Sequence, residues 1–366
     1  MTVFSFRPAG RLRSAATPLL LSASLMVAAY AQNPAPAPAV PSTAAPPKFA
    51  PLGVPVPGPV GAGPYAPQPI LPGGVIVPLY PPESPRLNRD KVREAEKYNM
   101  GGSPGRIQSI VNIHNPSIEV HPVDGRSNTG AAIIVVAGGG HRTLNVGTEG
   151  GDFVPWLYNY GVNTVILRNR LRADGYDLQK DAMIDALQSI RLVRANAKEW
   201  KIDPAKIGIM GFSAGAELAA WTAVFFDDYD KANADSADPL AGVSSRPDFV
   251  GLLYPGPTPF ARSATPKIPA NVPPTFIACA GSGDKSHAVW ADEYFAAMLK
   301  VSAPNLEMHI YGNGVHADGL KDRDGIPFGT WQDRYVDWFR DLGFLGKPGI
   351  ETKAARDVAG FAKKAR

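Results

Sequence analysis

Residues 206–221 read KIGIMGFSAGAELAAW, and no other stretch so limits what this chain can fold into. A short apolar run (Ile207, Ile209, Met210) enters Gly211-Phe212-Ser213-Ala214-Gly215, and helix-forming residues (Glu217, Leu218, Ala219, Ala220, Trp221) follow at once. The order is strand, tight turn, helix, with a serine at the apex and a glycine two places to either side. Such a serine sits on a strained turn, where a Cβ at either flanking position would collide with neighbouring backbone. The helix that follows aims free N–H groups and the positive end of its dipole at the place where an oxyanion would develop.

Strand and helix signals alternate on both sides of this turn. Ala132–Val136, residues 162–167 and residues 207–210 are short, continuous apolar runs, as strands buried on both faces should be. Residues 249–253, Thr275–Ala280 and Glu307–Tyr311 supply three more. Residues 178–200 predict a helix, because Met183, Leu187, Ile190, Val193 and Ala197 share one face and Asp177 suits the N-cap. Residues 291–300 predict another, and Trp331, Tyr335, Trp338, Phe339 and Leu342 a closing one. Strands separated by helices imply right-handed crossovers and a single-domain α/β fold, its central sheet mostly parallel with helices on both faces.

The ends of the chain are of a different character. Arg7, Arg11 and Arg13, a short apolar stretch and Ala29-Tyr30-Ala31 together predict a cleavable signal peptide over residues 1–31, hence a secreted or periplasmic address with no membrane span in the mature protein. Residues 32–86 are rich in Pro, Ala and Gly and predict a linker too poor in apolar volume to offset its ordering entropy. The catalytic domain is expected over 87–345 and a basic tail over 346–366. Those three arginines carry most of the net charge of +4, so no basic face suggests a nucleic-acid partner. Cys279 is the only cysteine and lies in an apolar run, which suits a buried strand residue. No His/Cys spacing suggests a metal, and no glycine-rich nucleotide fingerprint a cofactor.

A serine hydroxyl needs a base, and the base an orienting carboxylate. In a fold of this kind the acid and then the histidine follow the serine, each in a loop after a late strand. Asp284, in Gly281-Ser282-Gly283-Asp284, and His316, in Gly312-Asn313-Gly314-Val315-His316, meet that requirement. His287 reads as a cap or rim residue and His309 as part of a strand, while His114 and His121 precede the sheet core. Oxyanion donors are expected at the backbone of Ala214, after the serine, and of Gly139 and Gly140, in the triplet after the 132–136 strand. His141 is expected to line the pocket.

At these residues the chain resembles the bacterial acetyl xylan esterase and feruloyl esterase group of α/β-hydrolases, near the hormone-sensitive-lipase-like esterases. The likeness runs from about residue 131 to 342. It includes Gly138 to Gly140, Glu149-Gly150, Asn169-Arg170-Leu171, Asp203-Pro204-Ala205-Lys206-Ile207-Gly208, the Ser213 turn, Arg246-Pro247-Asp248-Phe249 and Leu253-Tyr254-Pro255. The resemblance implies cofactor-free hydrolysis of a small ester or acylated polysaccharide by Ser213, His316 and Asp284. His141, after the glycine triplet, and Glu217, after the serine turn, are expected from their own positions to bind substrate. The chain departs from the group at Ala216-Glu217, where Gly-His is usual, at Gly283, where an aspartate is frequent, and at Ala317, which stands for a glycine. A serine peptidase of the same fold and a non-catalytic envelope binding protein are the competing expectations.

Overall fold

The computed structural model describes residues 63–346 apart from 102–104, 235, 262–265, 317–318 and 321–326. The expected signal peptide, the linker up to residue 62 and the tail beyond Gly346 lie outside the described residues. The chain has the α/β-hydrolase fold, built on an eight-stranded sheet. In chain order its strands are β1 (Val75–Pro78), β4 (Ser117–His121), β5 (Ala132–Val136), β6 (Asn163–Arg168), β7 (Ile207–Phe212), β8 (Val250–Leu253), β9 (Thr275–Ala280) and β10 (Glu307–Tyr311). A separate antiparallel ribbon joins β2 (Lys97–Met100) to β3 (Ile107–Val111).

Across the sheet the order is β1-β4-β6-β5-β7-β8-β9-β10. From β6 to β10 neighbours run parallel, and only β1 and β4 are antiparallel additions at one edge. Every residue of β5 to β9 is buried, so both faces of the parallel part are covered. The cover is two sets of helices. α2 (Met183–Ala195) and α3 (Ala214–Ala232) pack together. α1 (Phe153–Tyr158) and α5 (Trp331–Asp341) meet through rings: Trp331 lies 6.2 Å from Trp156 and 6.3 Å from Phe153. Phe212, at the end of β7, joins that aromatic cluster 4.8 Å from Phe153. α4 (Lys285–Lys300) packs on β9.

Two expectations are corrected. Residues 63–86 are not the end of a linker. Val75–Pro78 pairs with β4, and Tyr65, Ile70, Leu79 and Tyr80 are buried. The proline-rich composition conceals these apolar residues, and Glu119 holds the segment by accepting from Ile70 N (2.6 Å) and Leu71 N (3.0 Å). The Tyr80 hydroxyl donates to Asp185 at 2.9 Å. The helix expected from 291 starts at Lys285, directly after Asp284, because residues 285–290 contain no breaker. That places His287 in its first turn. Asp177 behaves as expected and accepts from Gln179 N and Lys180 N, both at 2.9 Å.

Among the described residues no helix is long and apolar enough to cross a membrane. A chain beginning at Leu87 should lose more than ~5 kcal/mol of stability relative to one beginning at Gly63, because burying each large apolar side chain contributes about 1.5–3 kcal/mol. Urea denaturation of the two chains checks this; equal midpoints would show that residues 63–86 are dispensable to the core.

Candidate active site

Ser213 has φ +51° and ψ −117°, a backbone conformation that costs an L-residue about 1–3 kcal/mol and survives only where the surroundings enforce it. They do so through hydrogen bonds at 3.0 Å: Ser213 N donates to Leu253 O, and Ser213 O accepts from Gly256 N and Glu217 N. The flanking glycines allow the turn to close. A Cβ on Gly211 would lie on the Gly215 carbonyl, and one on Gly215 would lie on the Val136 carbonyl at the end of β5.

Ser213 Oγ lies 3.0 Å from His316 Nε2, and His316 Nδ1 lies 2.8 Å from Asp284 Oδ2. Three loops thus bring together residues 71 and 32 positions apart in sequence. The loops that carry Asp284 and His316 are themselves tied by a parallel bridge between Gly283 and Val315, and a Cβ on Gly283 would meet the Gly314 carbonyl. That contact is a physical reason for glycine where the group that the sequence resembles often has an aspartate. Asp284 is 8% exposed, so its charge acts on the imidazole with little competition from water. Such a chain can take a proton from the serine hydroxyl and hold the resulting imidazolium.

The competing histidines have partners elsewhere. His309 pairs with Glu307 at 2.6 Å, His121 with Glu119 at 2.8 Å, and His114 with the Tyr176 hydroxyl at 2.8 Å. His287 is different. It stands at the rim of the cavity as expected, but it also reaches the acid: its Nδ1 lies 2.5 Å from Asp284 Oδ1, and its ring stands 4.1 Å from that of His316. The three-residue spacing from Asp284 at the start of the helix was visible in the sequence, whereas the sharing of one carboxylate by two imidazoles was not. Burial and then the neighbouring His316 charge hold the His287 pKa below the ordinary value.

A cavity of about 350 Å³ opens beside the serine, lined by Gly140, His141, Arg172, Ser213, Ala214, Glu217, Gly256, Pro257, His287 and Trp290. Two of these lining residues are in direct contact, His141 Nε2 with Glu217 Oε2 at 3.0 Å. Gly140 and Ala214 line the cavity; Gly139, with φ +127°, lies one residue earlier in the loop against Thr143. Sequence reasoning missed Arg172 and Trp290, since neither stands in a motif. A larger cavity of about 570 Å³, between residues 80–86 and 233–239, shares no residue with this one.

Glu149 fastens the glycine loop. Buried in the turn before α1, it accepts from Gly138 N at 2.7 Å and from the Tyr254 hydroxyl at 2.9 Å. Gly138 must be glycine, since a Cβ there would come within 2.7 Å of Phe212 O and 3.0 Å of Ser213 Cβ. The Tyr254 hydroxyl also accepts from Gly319 N at 3.0 Å, and its ring meets His316 edge-on at 5.0 Å. One buried carboxylate therefore connects the glycine loop to the histidine loop.

Asp284, His287 and His316 are also the one group of three metal-capable side chains that converges among the described residues. Both Nδ1 atoms already face the Asp284 carboxylate and His316 Nε2 faces Ser213, so the donor atoms serve one another. Cys279 is buried in β9, where burial and then the Asp284 charge push its thiol up to about 12; at neutral pH it is no nucleophile.

Tyr254→Phe should destabilise the protein by about 1–3 kcal/mol, since it leaves the buried Glu149 oxygen and Gly319 N–H without this partner. Thermal unfolding measures that loss. Gly215→Val should cost more, and unchanged stability in that variant would disprove the contact with β5.

The BD-FAE family model matches residues 119–242, a span that includes the glycine triplet and Ser213 but not Asp284 or His316. The chain is 26% identical over 227 residues to an acetylxylan esterase of Xylanibacter ruminicola, covering 59% of this chain and 45% of that protein. It is 31% identical over 169 residues to endo-1,4-beta-xylanase B of Butyrivibrio fibrisolvens, covering 46% of this chain and 24% of that protein. It thus spans less than half the length of either curated relative. Among solved structures, an acetyl ester-xyloside bifunctional hydrolase from Caldicellulosiruptor lactoaceticus superposes with a TM-score of 0.59 at 25% identity, over 76% of this chain and 100% of that one.

Proposed function

We propose that this chain, an α/β-hydrolase of the acetyl xylan esterase and feruloyl esterase-like group, is a serine esterase for short acyl groups on plant polysaccharide. The observation that carries the proposal is the unbroken line from Ser213 Oγ through His316 to Asp284, with separations of 3.0 and 2.8 Å. The relatives named above support acetyl esters of xylan as the substrate class; feruloyl esters come second and rest on the resemblance of the sequence alone. The basic and apolar N-terminal sequence supports export, where such a polymer is met.

In this mechanism Ser213 Oγ attacks the ester carbonyl carbon and its proton passes to His316 Nε2. The N–H groups of Gly139, Gly140 and Ala214 receive the oxyanion, while the ionised Asp284 steadies the imidazolium. His316 then returns the proton to the departing alcohol, leaving an acyl-enzyme. A water molecule, deprotonated by the same imidazole, attacks the acyl carbon, and collapse frees the acid and restores the serine. His141 and Glu217 bound the cavity, and Trp290 offers an apolar ring suited to packing on a sugar or a short acyl chain.

Hydrolysis of p-nitrophenyl acetate and butyrate tests this. Turnover should fall with acyl length, and Ser213→Ala should lose it by about a thousandfold or more while keeping its fold. Equal slow rates in both proteins would sink the proposal. Amide cleavage with negligible ester turnover would favour a peptidase, and a folded chain inert to a fluorophosphonate serine probe would favour a binding protein.

A further inference from the structure

Asp284 occupies the residue just before α4, where an aspartate ordinarily turns its oxygens onto the first free N–H groups of the helix. It does not do so here: its side chain makes no capping hydrogen bond. Both oxygens go to imidazoles instead, Oδ2 to His316 Nδ1 at 2.8 Å and Oδ1 to His287 Nδ1 at 2.5 Å. A carboxylate rotates readily about its last torsion, whose preference is broad. One left without a second anchor would swing its oxygen away from the His316 nitrogen, or back onto the helix. His287 is placed to prevent this. It lies one turn along α4, on the same face as Asp284, and its own ring is steadied edge-on by Trp290 at 5.1 Å.

We infer that His287 is a positioning residue for the proposed esterase reaction: by donating Nδ1–H to one oxygen of Asp284, it aims the other at His316. This rests on the reading of Ser213, His316 and Asp284 given above. An ionised carboxylate only accepts hydrogen bonds, so both imidazoles must present Nδ1–H to it. The two rings, 4.1 Å apart, then share one negative charge. The division works only while His287 is neutral, because a second imidazolium there would compete with His316 for Asp284 just as the oxyanion forms. Burial, followed by the charge of His316, keeps the His287 pKa low and so favours the neutral ring. The charged and titratable groups around it are Asp284 just before its own helix, His316 in the adjoining loop, and Arg172, His141 and Glu217 along the shared cavity.

The test compares wild type with His287→Ala and His287→Asn. The amide nitrogen of asparagine can stand where Nδ1 stood, donating to Asp284 without a titrating ring. Two rates are read on proteins matched for thermal unfolding: kcat and KM for p-nitrophenyl acetate, and the rate at which a fluorophosphonate labels Ser213. His287→Ala should lower kcat and the labelling rate about ten- to hundredfold, with KM changed by less than about twofold, and His287→Asn should recover most of both. Unchanged rates in His287→Ala overturn the inference. So does a loss that His287→Asn leaves unrepaired, which would assign the imidazole a role other than holding Asp284. A wild-type protein that labels but cleaves no ester refutes the proposed substrate class, while labelling still decides the role of His287. A wild-type protein that does neither refutes both.

Discussion

The first turn of α3 rests on the end of β5, where Gly215 sits against the carbonyls of Val136 and Ala137, and the rest of the site is arranged around that contact. With no side chain between helix and strand, the chain must reverse within one residue, and Ser213 takes up the cost as a positive φ. The same closeness draws the loop leaving β5 over the serine. Gly138 consequently passes within van der Waals reach of Phe212 and Ser213, and Gly140 reaches the cavity wall. A nucleophile candidate and the backbone N–H groups that could serve it are therefore products of one close approach.

Two buried carboxylates convert this local geometry into a joined site. Glu149 links the glycine loop to Tyr254, and Tyr254 to the loop that carries His316. Asp284 links that histidine to α4 through His287. Each carboxylate is spent on acceptor duty to groups in different segments, which is the arrangement a low-dielectric interior rewards, since an unpaired buried charge there is costly. Tyr254 itself has φ +40°, a second strained residue held by bonds at both its backbone and its hydroxyl. Strain at Ser213 and Tyr254 is thus confined to the ends of adjacent strands, β7 and β8, where the parallel sheet around them is fully buried.

Much of the fold was legible in the sequence because the parallel strands are covered on both faces. Such strands are continuous apolar runs, and β5, β6, β7, β8 and β9 stand at or within two residues of where those runs lie. The edge was illegible for the opposite reason. β1 is a four-residue strand with exposed and half-buried positions, set in proline-rich sequence, and neither its length nor its pattern rises above the composition around it. The start of α4 was misjudged because residues 285–290 mix polar and apolar types without a clear stripe. His287 read as a cap or rim residue because its spacing from Asp284 does not reveal that the aspartate leaves the helix N–H groups uncapped and turns an oxygen to the ring instead.

Sequence alone determined the chemical types and their order: a serine between glycines at a strand-to-helix junction, then an aspartate, then a histidine, each after a late apolar run. Periodicity and glycine spacing are local properties, and they survive translation into one dimension. Tertiary structure alone decided which side chains share a hydrogen bond. That Asp284 serves two imidazoles, that Glu149 reaches both Gly138 and Tyr254, and that His141 meets Glu217 depend on distances between segments far apart in the chain. Those distances are set by how the sheet twists and how closely the helices pack on it, which no short stretch of residues encodes.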